Sequence, residues 1–217
     1  VISVYDDKPL NALASLNLAA HSGQEVSIAQ TRSFSAMLVM AEGIARLLDG
    51  SPYDVTQFSA STHEWVETAR NLAAVYADPD RFQRVFYLGS GALYGLACEA
   101  MLKMKEMSLT NAEAFHTLEF RHGPKSMVDD ETLIVGLLDG RADSEMAVIE
   151  EVRKLGATTV TLSWSESVGA DIWLKDYHSR PSLVHYMPFL QWLAYERAVR
   201  KGLNPDAPRN LDQVVIL

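Results

Sequence analysis

Short apolar segments alternate with helical segments from residue 84 onwards, and this alternation constrains the fold more than any other feature. The apolar segments read RVFYLGSG, ETLIVGLLDG, TTVTLSW and a shorter DIWLKD. The segments between them, ALYGLACEAMLKMKEMS and SEMAVIEEVRKLG, place apolar residues at helical spacing. Strands separated by helices predict a parallel sheet with right-handed crossovers and helices on both faces. We therefore predict an α/β fold, a three-layer αβα sandwich.

The first 83 residues are predicted to be mainly helical. VISVY has the alternation of a strand, and DDKPLNALASLN reads as a loop with a short helix. SFSAMLVMAEGIARLLDG predicts a helix that Ser33 or Ser35 caps and Gly50 ends, and THEWVETARNLAAVYADPD predicts a second one. The turn-rich SPYDVTQFSAS between them is a candidate connector of two lobes. Pro188 is expected to begin the last helix.

Charge and cysteine content exclude some classes of function. The formal net charge of -9 argues against non-specific nucleic-acid binding. The single cysteine, Cys98, allows neither an intramolecular disulfide nor a cysteine-based zinc site. No cluster of His, Asp and Glu has recognisable metal-ligand spacing, so we predict no metal, and we expect no cofactor. No apolar run reaches the roughly 20 residues that span a bilayer, and no signal peptide is recognisable, so a cytoplasmic protein is expected. Since the chain begins with Val1, we expect it to be a fragment.

A glycine-rich turn, LGSGALYG, follows the first strand of the alternating region. Gly89, Gly91 and Gly95 lie where backbone amides at the start of a helix could hold an anion. Their G-x-G-x-x-x-G spacing differs from the dinucleotide-binding fingerprint. A tight strand-to-helix turn without ligand explains the glycines equally well.

The helix after this turn carries a lysine between two glutamates. Glu99, Lys103 and Glu106 have the spacing of one helix face. A carboxylate beside an ammonium is a plausible base for removing a proton next to a carbonyl, with the ammonium stabilising a developing enolate. From spacing alone, a solvated salt-bridge stripe is the better-supported alternative.

The segment EFRHGP places a histidine before Gly-Pro. His122 is expected in a constrained loop, where it could exchange a proton near neutral pH, and Glu119 could orient it. A histidine that merely caps a helix end is the alternative. His116 is a weaker candidate. The apolar end of the tail, LNPDAPRNLDQVVIL, predicts docking as a strand or extended arm that could close a pocket.

Four segments in a fixed order resemble one known family. YLGSGALYGLACEAMLKMKEMSLTNAEAF, LEFRHGP and GLNPDAPRNLDQVVIL, with GQEVSIAQTRSFSAMLVM upstream, are similar to the sugar isomerase (SIS) domain proteins. The similarity is strongest to the isomerase half of glucosamine-6-phosphate synthase and its smaller relatives. It implies the end of a first SIS domain at 1–50, a connector at 51–66, a second SIS domain at 67–203 and a site-closing tail at 204–217.

The resemblance also implies roles for individual residues. Glu106 would move a proton between C1 and C2 through an enediol, with Lys103 beside it. His122 would open the sugar ring, reaching the site of a neighbouring subunit in a homodimer with shared active sites. Substrate-binding positions are implied for Ser27, Ile28, Gln30 and Gln213.

Two departures from the family pattern limit this assignment. The synthase forms a Schiff base through a tail lysine, and here Gln213 takes that position, which cannot form an imine. The family's Ser/Thr-rich phosphate-binding loop would lie upstream of Val1. If the protein starts at Val1, we expect substrate affinity to be badly impaired.

The resemblance therefore implies a phosphosugar aldose–ketose isomerase or deaminase that acts on an amino-sugar phosphate such as glucosamine 6-phosphate. Binding of nucleic acid or a membrane is not expected. Three alternatives stay open: a fructosamine-phosphate deglycase, a non-catalytic phosphosugar sensor, and a dimerisation remnant without activity.

Overall fold

The computed structural model describes residues 1–58, 62–139, 143–165, 169–177 and 181–212. Its first elements are the short strands β1 (Ile2–Ser3) and β2 (Leu18–Ala19) and the one-turn helix α1 (Pro9–Ala12). The two strands pair in parallel. The strand predicted for VISVY is therefore confirmed only over Ile2 and Ser3, and the short helix is confirmed.

A five-stranded sheet forms the centre of the alternating region. Its strands are β3 (Arg84–Gly89), β4 (Asn111–His116), β5 (Thr132–Leu138), β6 (Thr158–Ser163) and β7 (Ile172–Trp173). Their order is β4-β3-β5-β6-β7, and every neighbouring pair is parallel. All of β5 is buried, as expected for a strand inside a sheet that is covered on both faces. The predicted α/β fold with a parallel sheet is confirmed.

Helices cover both faces of this sheet. They are α3 (Thr62–Tyr76), α4 (Ala92–Ser108), α5 (Asp143–Lys154) and α6 (Met187–Arg200). A further helix, α2 (Arg32–Leu48), packs mainly against β1 and the 3₁₀ turns at His21–Gly23 and Leu183–Tyr186. One hydrophobic cluster joins α3, α4 and α6 to one face and includes Met104 and Leu193. A second cluster joins α5 to the other face, where Ile149 packs with Phe86. The last helix has Pro188 in its first turn, as predicted. No helix in the described ranges combines the length and hydrophobicity needed to cross a membrane.

Strand β4 was not predicted. Its sequence, NAEAFH, is rich in residues that strands generally disfavour, namely Asn, Ala and Glu. It nevertheless pairs with β3 over its whole length, at the edge of the sheet. One side of an edge strand faces solvent, and Asn111 and Glu113 are exposed here. Pairing with a buried neighbour therefore outweighs the local preference of the segment.

The start of α2 differs from the prediction of a serine cap. The helix begins at Arg32, so that Ser33 and Ser35 already lie within it. The carboxylate of Glu25 accepts the backbone N–H groups of Thr31 at 3.0 Å and Ser33 at 2.9 Å, as well as that of Arg32. Burial alone would raise the pKa of Glu25, but these bonds and the Ser33 hydroxyl lower it below its ordinary value. A distant carboxylate thus caps the helix. At its other end, α2 stops at Leu48, close to the predicted Gly50.

The three glycines of the LGSGALYG turn have different structural roles. A Cβ on Gly89 would lie 2.5 Å from the carbonyl oxygen of Leu93. Gly91 has φ +56, a conformation that costs other residues strain. Gly95 lies in α4 with open space beside it. Close packing of β3 against the first turn of α4 therefore accounts for Gly89, and backbone geometry accounts for Gly91.

We expect Gly89→Ala to destabilise the protein by about 1–3 kcal/mol or more, because the atom that a Cβ would meet is backbone and cannot move aside. Gly95→Ala is the matched control and should stabilise by roughly 0.5–1 kcal/mol through its higher helix propensity. Urea unfolding of both variants measures the difference. Equal stability of the two variants would contradict the packing role of Gly89.

Most of the predicted docking of the tail lies outside the described residues. The chain makes turns after Gly202 as far as Asn210, and Pro205 and Pro208 are buried in this stretch. Gln213 and the apolar residues that follow it are not among the described ranges.

Candidate active site

Helix α4 holds Glu99, Lys103 and Glu106 in a largely buried group. The side chain of Lys103 is 4% exposed, and its Nζ lies 2.5 Å from Oε2 of Glu106 and 3.6 Å from Oε1 of Glu99. The glutamate side chains are 20% exposed for Glu106 and 10% for Glu99. A solvated salt-bridge stripe would leave these groups in water. The structure therefore contradicts that alternative and leaves a desolvated ammonium between two carboxylates.

Glu99 is perturbed most strongly within this group. Burial raises the pKa of its carboxyl from 4.5 to about 7; Lys103 opposes the rise and Glu106 adds to it. Its Oε1 atom accepts no hydrogen bond from the described chain. The spacing of Glu99 from Lys103 was recognisable in the sequence, but nothing there indicated its burial, and it was given no role.

The stability of the protein should depend on whether the carboxyl group of Glu99 is protonated. Between pH 4.5 and about 7, folded Glu99 keeps a proton that the unfolded chain has released. Its contribution to stability is therefore complete below pH 4.5 and is lost as the pH rises through 7. We expect Glu99→Gln to be more stable than the wild type by about 1–3 kcal/mol at pH 8 and similar to it near pH 5.

Urea unfolding at the two pH values measures this difference. Glu113→Gln, which changes an exposed carboxylate on β4, is the control and should leave the pH dependence unaltered. Parallel stability profiles of wild type and Glu99→Gln would show that Glu99 does not carry the proton.

The end of α4 near Glu106 is fixed by contacts with α6. Lys201 donates hydrogen bonds to the carbonyl oxygens of Ser108 at 2.6 Å and Leu109 at 3.1 Å, and to the hydroxyl of Thr110 at 3.4 Å. Arg197 donates to the same hydroxyl at 2.8 Å. Lysine at the carboxyl end of a helix satisfies carbonyls that lack intrahelical partners. All three N–H groups of Lys201 therefore donate hydrogen bonds, and these contacts give the lysine a structural role at the end of α4.

The loop that contains Ser27, Ile28 and Gln30 lies against the tail and close to the end of α4. The amide of Ile28 donates to the carbonyl of Asp206 at 3.1 Å, and the hydroxyl of Ser27 donates to Ala29 at 3.0 Å. Ala29 is fully buried in the hydrophobic cluster that contains Met107, the neighbour of Glu106. Gln30 is exposed.

Two clefts border this loop. One, of about 300 Å³, is lined by residues from the loop, α4, α6 and the tail, among them Ala29, Met107, Tyr195 and Asp206. The other is wide and open, about 970 Å³, and its lining includes Ser27, Ile28, Asp206 and Asp212. The structure therefore brings the predicted loop, the tail and the end of α4 together. Gln213, predicted to join them, lies outside the described residues.

The residues just before His122 pack on the face of the sheet opposite to α4, the helix that carries Glu106. Phe120, two residues before His122, is buried in the cluster that α5 forms with the sheet, with its ring 5.2 Å from that of Phe86. Arg121 forms an ion pair with Glu151 of α5. Helix α4 packs on the other face. The sheet therefore separates His122 from Glu106 within one chain.

The two candidate histidines, His116 and His122, are both exposed. His122 is exposed at the end of a short 3₁₀ turn, Glu119–Arg121, and its amide donates to the carbonyl of Glu119 at 3.0 Å. The described residues make no hydrogen bond to its ring, so the expected orientation by the Glu119 carboxylate is not observed. His116 is exposed and stacks on Tyr94, with ring centroids 4.7 Å apart.

Comparisons with known proteins identify a family and several similar proteins. Residues 81–169 match the SIS domain family. The glutamine–fructose-6-phosphate aminotransferase (isomerizing) of Thermococcus kodakarensis is 30% identical over 224 residues, which cover 94% of this chain and 37% of the relative. The corresponding protein of Caulobacter vibrioides is 32% identical, with 90% and 36% coverage. The chain thus spans just over a third of the length of these curated relatives.

Solved structures share the fold. A glucosamine-6-phosphate deaminase from Thermotoga maritima superposes with a TM-score of 0.81 at 28% identity, covering 100% of this chain and 66% of that one. The C-terminal domain of a glucosamine-fructose-6-phosphate aminotransferase from Francisella tularensis gives 0.73 at 22% identity, with 94% and 63% coverage. Together with the sequence match, the parallel sheet and its helices show that residues 81–169 of this chain form an SIS domain.

Proposed function

We propose that this chain is part of a phosphosugar aldose–ketose isomerase or deaminase that acts on an amino-sugar phosphate such as glucosamine 6-phosphate. The observation that carries the proposal is the buried ammonium of Lys103, held 2.5 Å from the carboxylate of Glu106. A base beside a desolvated cation suits the removal of a proton next to a carbonyl. The names of the relatives, an isomerizing aminotransferase and a glucosamine-6-phosphate deaminase, support the same chemistry.

Glu106 is assigned the proton transfer. In the open-chain aldose, its carboxylate takes the proton from C2, the C1–C2 double bond forms, and the carbonyl oxygen at C1 becomes negatively charged. The ammonium of Lys103 stabilises this charge, which is larger in the transition state than in the bound sugar. The carboxylic acid then returns the proton to C1, and a proton passes from the substituent on C2 to the oxygen on C1, so that a C2 hydroxyl becomes a carbonyl. Where C2 carries an amine, as in glucosamine 6-phosphate, the product is an imine at C2, which water hydrolyses to the ketone with release of ammonia.

His122 is assigned the opening of the sugar ring, acting from a second copy of the chain. The separation of His122 from Glu106 by the sheet supports this assignment, because one chain does not bring the two groups together. The histidine would take the proton of the anomeric hydroxyl and deliver one to the ring oxygen. A homodimer with shared sites follows from the proposal.

The remaining assignments concern binding. The loop of Ser27, Ile28 and Gln30 would lie along the sugar, and the tail with Gln213 would close over it. We keep 1–50 as the end of a first SIS domain, joined through 51–66 to a second at 67–203, ahead of the tail at 204–217.

A reaction without a Schiff base is favoured. Gln213 cannot form an imine. Lys103 is engaged by two carboxylates and Lys201 by three oxygen acceptors. In a deaminase, ammonia would leave from C2 after isomerisation.

The test is a substrate panel with two readouts, ammonia and ketose. Glucosamine 6-phosphate, its N-acetylated and galacto analogues and fructosamine 6-phosphate are offered in turn, and exchange of deuterium at C2 with solvent is followed. Turnover of an amino-sugar phosphate with C2 exchange supports the proposal, and ammonia release identifies a deaminase. Turnover of fructosamine 6-phosphate alone indicates a deglycase. Thermal stabilisation by a sugar phosphate without product or exchange indicates a sensor and overturns the proposal.

A further inference from the structure

The loop that carries His122 is anchored to strands β3 and β4 at two points. Phe120 is buried between Phe86 and Phe115, with ring centroids 5.2 and 5.4 Å away. After it, a 3₁₀ turn at Pro124–Met127 returns the chain towards the start of β3, where Arg84 donates to the carbonyl of Met127 at 2.6 Å. Between these anchors, the segment His122-Gly123-Pro124 is presented outward.

One carboxylate holds both flanks of this segment. Glu151 of α5 accepts Nε of Arg121 at 3.1 Å and Nη2 of the same guanidinium at 2.5 Å. It also accepts Nζ of Lys125 at 3.4 Å. The two-point pair with Arg121 has the planar geometry that fixes direction as well as distance. Glu151 therefore ties the residue before His122 and the second residue after Gly123 to a single rigid helix.

The ring of His122 depends on this arrangement for its direction. It is exposed, and no described side chain forms a hydrogen bond to it. Its backbone amide donates a hydrogen bond to the carbonyl oxygen of Glu119, and the next residue, Gly123, has a φ of +133. The conformation of the backbone on either side therefore decides where the imidazole points.

We propose that Glu151 is a positioning residue, which presents His122 to the active site of a second copy through Arg121 and Lys125. The inference rests on the proposed function, in which His122 opens the sugar ring. Without Glu151, the two flanking cations lose their shared partner and the segment gains conformational freedom. The pair is partly solvated, with Glu151 37% exposed, so its loss should change global stability little. The effect should therefore fall on catalysis.

Glu151→Gln tests this inference, with Glu150→Gln as the matched control on the same helix. Glu150 is bound by Arg153 at 2.7 Å, and Arg153 in turn binds Asp171 and Thr159. We expect Glu151→Gln to lower kcat/KM about tenfold, because small displacements of a reacting group cost one to two orders of magnitude. Glu150→Gln should stay within about twofold, and the Tm of both should match the wild type.

A double-mutant cycle separates positioning from a general structural effect. In a His122→Asn background, Glu151→Gln should cause no further loss, because the residue that it positions is already absent. Full additivity of the two losses, or equal kcat/KM for Glu151→Gln and Glu150→Gln, would overturn the inference.

Nuclear magnetic resonance of ¹³C-labelled histidine keeps the test independent of turnover. Glu151→Gln should shift and narrow the His122 ring signal, while Glu150→Gln should leave it unchanged. Failure of the wild type to turn over any phosphosugar sinks the proposed function but leaves this readout intact. An unchanged His122 signal in Glu151→Gln overturns the positioning role itself.

Discussion

Glu106→Gln is expected to lower kcat by about a thousandfold or more. General acid–base catalysis by one group contributes roughly 10²–10⁴-fold, and in the proposed mechanism the same group both removes and returns the proton. Glutamine has nearly the same shape and keeps an oxygen acceptor for Lys103, so the fold should persist. Above pH 7, the buried ammonium would still have the Glu99 carboxylate as a counter-charge, 3.6 Å away. Turnover and the exchange of deuterium at C2 should therefore fall together.

The measurement compares Glu106→Gln with Glu113→Gln, which alters an exposed carboxylate on β4 and should keep full activity. Circular dichroism and Tm establish that both variants are folded. Binding of a sugar phosphate, followed by thermal shift, should survive in Glu106→Gln. Wild-type turnover by this variant would remove Glu106 from the reaction and leave the proposed mechanism without a base.

Mixing two inactive variants is expected to restore activity. If each site takes Glu106 from one copy and His122 from the other, a hybrid dimer of Glu106→Gln and His122→Asn has one site with both groups intact and one with neither. Random exchange makes half of the dimers hybrid, so about a quarter of wild-type activity should return in this two-fold arrangement. The physical basis is the sheet that lies between the two residues within a single chain.

Unfolding and refolding an equimolar mixture gives the hybrid, and refolding each variant alone gives the control. The mixture should exceed either variant by one to two orders of magnitude, since each variant alone lacks one group at every site. A double variant that carries both changes in one chain should stay inactive after the same unfolding and refolding. Activity of the mixture no higher than the mean of the two variants would show that His122 and Glu106 serve the same chain's site.

The fold was largely predictable because its main elements have strong internal patterns. Strands such as β5 are continuous apolar runs, and helices such as α4 repeat apolar residues at helical spacing, so each is recognisable alone. Strand β4 was not, because only its pairing with β3 makes NAEAFH a strand. The cap of α2 was misassigned for a related reason: Glu25 lies several residues before the helix and reaches it only after the loop has closed.

Only the part of the candidate site that depends on spacing along a single helix could be predicted from the sequence. Spacing places Lys103 and Glu106 on one face, but their burial follows from packing against other elements. The perturbed proton of Glu99 is a consequence of that burial. Glu151 had no signal in the sequence, since its partners Arg121 and Lys125 are 30 and 26 residues away. The separation of His122 from Glu106 likewise depends on the side of the sheet to which each segment goes.

The carboxylate of Glu25 has one more consequence, which concerns the thermodynamics of ligand binding. Its hydrogen bonds to the amides of Thr31 and Ser33 close the loop that begins at Glu25. Within this loop, the amide of Ile28 donates a hydrogen bond to the carbonyl oxygen of Asp206. A loop that is ordered before a ligand arrives loses little conformational entropy when the ligand binds. The entropic cost of shaping this loop is met during folding. Association with this part of the surface should therefore have a small entropy penalty, and loss of the Glu25 carboxylate should appear in calorimetry mainly as a less favourable binding entropy.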